Sequence, residues 1–116
     1  MQKFDRKELT ILYATDDQAL SDYLEGRFER VLVCTSFEEA YQIFKRELVD
    51  LIVTDCVVEG LSGADFVRKV RSKNWAGPVL MITPYEDKDF FMEAIHIGVT
   101  QFVTMPIELE IGRAHV

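Results

Sequence analysis

Short apolar runs alternate with amphipathic stretches along the whole chain, and that alternation leaves few folds open. Thr10 to Thr15 (TILYAT), Val31 to Cys34 (VLVC), Leu48 to Thr54 (LVDLIVT), Val79 to Thr83 (VLMIT) and Gln101 to Thr104 (QFVT) read as five strands. Between them, Gln18 to Phe28 carries Ala19, Leu20, Tyr23, Leu24 and Phe28 at helical spacing. Phe37, Ala40, Tyr41, Ile43 and Phe44 form a second such set, and Phe66, Val67 and Val70 within Ala64 to Arg71 a third. Asp87 to Ile97 gives a fourth. Thr35 or Ser36 is placed to cap the second helix, with Glu38 and Glu39 in the first turn where the helix dipole favours negative charge. Gly60 and Gly63 punctuate a loop, Gly77-Pro78 marks a turn, and Gly98 suits the position after a helix end. The LIVT core of the third strand lacks polar alternation, as expected when helices cover both faces of a sheet. Strands alternating with helices imply right-handed βαβ units, hence one α/β domain: a three-layer, doubly wound, parallel five-stranded sheet.

A chain of 116 residues is the size of one domain, and 48% hydrophobic content suffices for one core. The net charge of -7 argues against direct nucleic-acid binding, which needs clustered Lys and Arg, and suits a divalent cation or a basic partner. Cys34 and Cys56 lie in no CxxC pattern and have no His/Cys cluster beside them. They read as small buried hydrophobes of a reduced, cytoplasmic protein. No apolar run is long enough to span a membrane, and the charged start MQKFDRKELT lacks the apolar stretch of a signal peptide.

Ligand sites in open α/β sheets lie beyond the carboxyl ends of the strands. Three acids fall there: Asp16 and Asp17 after the first strand, Asp55 after the third. If those strands are neighbours, the carboxylates crowd one pocket and call for a compensating cation. Mg²⁺ is the natural occupant, a hard ion held by one or two carboxylates together with phosphate oxygens. An Asp oxygen beside it can act as the nucleophile toward a phosphoryl group. Thr83, ending the fourth strand, offers a hydroxyl to the same crevice.

With these residues in place, the chain resembles response-regulator receiver domains of two-component signalling from Leu9 to about Pro106. ILYATDD resembles the first strand with its acidic pair, and LIVTDCVVEGLSG the phosphoacceptor strand and its loop. GPVLMIT resembles the strand ending in the switch hydroxyl, and AIHIGVTQFVTMP the segment bearing a switch aromatic before Lys-Pro. The resemblance implies a flavodoxin-like sheet of order 2-1-3-4-5 and Asp55 as the phosphoacceptor. Asp17 would ligate Mg²⁺ directly, Asp16 largely through water, and the Val57 backbone carbonyl would complete the protein ligands. Thr83 would be the switch hydroxyl and Phe102 the aromatic that follows it. The phosphoryl source would be a histidine kinase or phosphotransfer protein. The surface from the fourth helix onward would serve a fused or separate output domain, or a homodimer.

Three departures bear on that reading. Met105 stands where the family has its lysine, and a methionine brings neither charge nor donor to a phosphoryl oxygen. Losing such a charge-assisted contact costs about 1.5–3 kcal/mol. Val58-Glu59 replaces Met-Pro after the acceptor, and Pro84 replaces a small residue after the switch hydroxyl. A degenerate receiver, binding partners without phosphorylation, is therefore the alternative. A small phosphohydrolase is disfavoured because Cys56-Val57 leaves no DxD partner acid after Asp55. A GxxxxGK[ST] loop is also lacking, which disfavours a nucleotide-hydrolysing switch. Behind Pro106, IELEIGRAHV is too short for the expected closing helix, so the last helix is read as truncated. IGRAHV matches one reading frame of common sequencing-adapter DNA. The expected organisation is a receiver over 1–110 and a non-native tail over 111–116.

Overall fold

The computed structural model describes residues 9–16, 18–83 and 88–104. Among the described residues, seven strands and four helices follow in the order β1 (Thr10–Ala14), α1 (Gln18–Glu25), β2 (Arg30–Cys34), α2 (Phe37–Arg46), β3 (Leu51–Asp55), β4 (Val57–Val58), β5 (Leu61–Ser62), α3 (Gly63–Arg71), β6 (Val79–Ile82), α4 (Lys88–Ile97) and β7 (Gln101–Val103). Five strands form one sheet in the order β2-β1-β3-β6-β7, parallel at every pairing. Numbered among themselves, these five run 2-1-3-4-5, as the resemblance implied. The expected truncation of the last helix, the 111–116 tail and Met105 lie outside the described residues.

The sheet is filled from both sides. Leu12, Ala14, Cys34, Ile52 and Met81 pack with Phe37, Ala40 and Tyr41 of α2 and Phe66, Val67 and Val70 of α3. Ile11, Tyr13, Val53 and Ile82 form the core on the opposite face, against Leu24 and Phe28. This two-sided burial is why the third strand shows no polar alternation. Ser36 caps α2, its hydroxyl accepting the Glu39 N–H at 3.1 Å. Gly98 ends α4 with φ +115°, a conformation that suits glycine.

The structure revises several boundaries. The stretch around Gly60 and Gly63 is not a plain loop: β4 and β5 pair as a short antiparallel hairpin, and Gly63 opens α3. Leu48 lies outside β3 and is largely exposed, because β3 starts only where it meets Ile11 of β1. Helix α1 stops at Glu25, so Phe28 packs from the following turn. Phe90 and Phe91 are both half-buried and share a cluster with Phe102. Trp75 lies half-buried, edge-on to Phe44 at 5.7 Å, and His96 is exposed.

Both cysteines are free and buried. Burial, reinforced by nearby Glu39, pushes the Cys34 thiol up to about 12. The unfolded thiol ionises near 9. The protonated thiol is thus favoured by folding, and stability is lost as pH rises from about 9 toward 12. Cys34 is expected to resist alkylation of the folded chain at pH 8 and to react under denaturant; rapid labelling without denaturant would contradict its burial.

Candidate phosphoacceptor site

The parallel register decides which side chains meet at the carboxyl edge of the sheet. Ala14 of β1 pairs with Thr54 of β3, so the next residue along each strand brings Thr15 opposite Asp55. Paired residues on parallel strands point to the same face, and alternation adds Tyr13 to that set. The contacts follow this parity. Thr15 Oγ1 donates to Asp55 Oδ2 at 2.6 Å, and Tyr13 Oη donates to Asp55 Oδ1 at 3.3 Å. Asp55 is half-buried, whereas Thr15 and Tyr13 are almost fully enclosed. The Thr15 backbone is fixed from the other side by its N–H to Cys34 O at 2.9 Å.

On the opposite flank, Asp55 pairs with Ile82, which sets Thr83 one step beyond it at the tip of β6. Thr83 is fully buried and its N–H donates to Val103 O at 2.9 Å. Thr54 turns its hydroxyl to the Asp55 backbone carbonyl at 2.9 Å. The main chain after Asp55 is tied to β6 by Cys56 N–H to Ile82 O, 3.0 Å, and closed by Gly63 N–H to Cys56 O, 2.8 Å.

Asp16 is exposed and reaches the hairpin after β3, where its Oδ2 accepts the Glu59 N–H at 3.4 Å. The residue set directly against Asp55 is therefore Thr15, one position before the acidic pair. Strand register accounts for this, and a sequence shows register only where two runs share an unambiguous end. Asp17 lies outside the described residues, among which no cluster of three or more His, Cys, Asp and Glu side chains is gathered. Val57 follows two positions after Asp55 in the exposed start of β4. Phe102, on β7 beside Met81, is half-buried, with its ring centroid 4.5 Å from Phe91 and 6.2 Å from Phe90.

The sequence reading missed Tyr13 and Thr15. Their signal was the odd-numbered spacing of Tyr13, Thr15 and Asp55, legible only once Ala14 is known to pair with Thr54. Among the described residues no helix is long and apolar enough to cross a membrane.

The model of the response regulator receiver domain matches residues 11–116. The chain belongs to that family. This receiver is 30% identical to the response regulator protein PilR of Pseudomonas aeruginosa, over 84% of the chain and 23% of PilR. It is 28% identical to a cyclic di-GMP phosphodiesterase of Thermotoga maritima, over 90% of the chain and 29% of that protein. It is also 28% identical to the regulatory protein VanRB of Enterococcus faecalis, over 89% of the chain and 48% of that protein. The receiver thus spans from about a quarter to about half the length of these relatives. A two-component response regulator from Clostridium difficile shares its fold with TM-score 0.79 at 21% identity, covering 93% of this chain and 92% of that one. The receiver domain of a Francisella response regulator does so with TM-score 0.77 at 23% identity, covering 93% and 94%. Receiver domains act in two-component signalling and are in general signalling modules rather than enzymes.

Proposed function

We propose that this receiver takes a phosphoryl group on Asp55 and passes the change to a partner or output surface. The observation that carries the reading is the Asp55 carboxylate at the tip of the central strand, half-buried and held by hydroxyls, with Asp16 on the neighbouring strand tip. Its donors would come from a histidine kinase or phosphotransfer protein. In the transfer, an Asp55 carboxylate oxygen attacks phosphorus. The donor's bond to phosphorus breaks, and its electron pair leaves with the donor, giving an acyl phosphate on Asp55.

The nearby oxygens suit a hard divalent cation, since Asp55 and the exposed Asp16 are carboxylates and Val57 contributes a carbonyl. Asp16, Asp17, Asp55 and the Val57 carbonyl would hold Mg²⁺, which when bound neutralises charge on the carboxylates and the phosphoryl oxygens. Thr83, one step past the residue paired with Asp55, would donate its hydroxyl to a phosphoryl oxygen. Phe102, already in the cluster that includes Phe90 and Phe91 of α4, would relay the change to that helix. Exposed Met92 and Ile95 on α4 supply apolar surface for an output domain, fused or separate, or for a second copy. We place the protein in the cytoplasm, where its kinase would meet it.

A second reading has its own support. Both Asp55 oxygens already accept hydroxyls from within the chain, and Met105 offers no cation. The domain would then bind partners without modification. Incubation with a small acyl phosphate and Mg²⁺, followed by intact mass measurement, separates the two. A gain of one phosphoryl group that Asp55→Asn abolishes is the expected result. No gain at any Mg²⁺ concentration favours the unmodified binding module. Chelation of the metal is expected to slow the gain at least tenfold.

A further inference from the structure

We infer that Tyr13 and Thr15 are a positioning pair for Asp55, holding its carboxylate oxygen by oxygen from the neighbouring strand; the inference rests on the phosphoacceptor reading above. Each hydroxyl reaches a different oxygen: Thr15 Oγ1 to Oδ2 at 2.6 Å, Tyr13 Oη to Oδ1 at 3.3 Å. The shorter contact has the length of a charge-assisted O–H···O⁻ bond, the stronger class. Two donors on two oxygens fix the plane of the carboxylate, which a single donor leaves free to turn. Both donors are themselves rigid. Tyr13 is packed among Ile11, Val53 and Ile82, and Thr15 is tied through its backbone to Cys34 of β2.

A carboxylate oxygen has two lone-pair directions, so a bonded hydroxyl does not by itself exclude attack on phosphorus. No proton moves in that step: both hydroxyls stay protonated throughout. Neutral donors also add no negative charge beside Asp55, unlike a carboxylate at position 15. The pair contributes orientation, which converts a freely rotating nucleophile into one presented in a single attitude.

Thr15→Val removes the hydroxyl while keeping shape and the backbone bond to Cys34. It is expected to slow modification of the full chain by an acyl phosphate about tenfold, the loss of one charge-assisted contact. Thr15→Ser is expected to restore the rate, and Tyr13→Phe to slow it less, in line with its longer contact. Urea midpoints of the variants separate loss of orientation from loss of folding. A second readout needs no phosphodonor. Enclosed, bonded hydroxyl protons exchange slowly enough for proton NMR, and Asp55→Asn is expected to move the Thr15 hydroxyl signal upfield. Rates for Thr15→Val equal to the original chain's, or a rate loss that Thr15→Ser fails to restore, overturn the positioning role and leave Asp55 as the phosphoacceptor. A hydroxyl signal indifferent to Asp55→Asn overturns the pairing itself. An original chain that is never modified, though its hydroxyl signals respond to Asp55→Asn, sinks the phosphoacceptor reading and with it the pair's part in transfer.

Discussion

Gly63→Ala is expected to destabilise the domain by about 3 kcal/mol and to disturb Asp55 from below. A Cβ at position 63 would stand 2.6 Å from the Asp55 backbone oxygen, and 3.3 Å from both the Cys56 oxygen and Met81 Cε. A side-chain tip yields cheaply to such a clash, but the main oxygen met here belongs to the backbone of the central strand. That strand is clamped by β1 on one side and β6 on the other, so α3 must move away or β3 must bend. Either movement strains the Gly63 N–H to Cys56 O bond that closes the hairpin. The loss corresponds to roughly 10–20 °C in the thermal midpoint of a domain this size. Gly60→Ala is the control. Its φ of +79° imposes strain, yet nothing lies within 4 Å of the added carbon, and a loss of about 1 kcal/mol is expected. Urea unfolding of both variants, with phosphoryl uptake measured in parallel, tests the contrast. A Gly63→Ala protein within about 0.5 kcal/mol of the original would show that the contact relaxes freely.

Arg71→Met, at the last residue of α3, is expected to cost about 2–4 kcal/mol. From the end of α3 the guanidinium bonds three carbonyls in two separate segments. Gly98 O accepts from Nε at 3.2 Å and Nη2 at 2.7 Å, while Nη1 donates to Trp75 O at 2.9 Å and Gly77 O at 2.6 Å. The cation also lies 5.4 Å from the centre of the Trp75 ring. Burial pulls the Arg71 pKa down from its ordinary value, the cost that these carbonyls offset. Methionine keeps the apolar stem and loses every donor, so carbonyls at the entry to β6 and the exit of α4 lose their partner together. Gly98→Ala attacks the same joint from the other side. Its φ is +115° and its Cβ would meet Arg71 Nε at 2.7 Å. The two changes should therefore couple: Gly98→Ala is expected to cost about 1 kcal/mol less once Arg71→Met has released the side chain from its carbonyls, leaving it free to swing away from position 98. Strict additivity in a double-mutant cycle would mean that backbone strain alone, not the arginine, limits position 98.

The fold was legible because its cause is periodic. Apolar runs such as LIVT and VLMIT without polar alternation can be satisfied only between two helical layers, and α2 and α3 on one face with α1 on the other supply them. The Ser36 cap and the Gly98 terminus were legible for a related reason: each is set by the chemistry of one residue and its immediate backbone. The placement of Asp55 at a strand tip follows from the same local logic.

What lay beyond the sequence was register and long-range closure. Pairing Ala14 with Thr54, rather than with a neighbour, exchanges which of Thr15 and Asp16 stands beside Asp55, and no residue in either strand announces that choice. The long-range contacts of Gly63 and Arg71 were invisible for the same reason. The glycine matters because α3 approaches the Asp55 carbonyl from 8 positions away, and the arginine because Gly98, just past α4 and 27 positions later, accepts its guanidinium. Local propensity determines which segments become strands and helices. Only the packed sheet decides which side chains share a pocket, since contact between distant residues depends on the combined registers of all the strands between them.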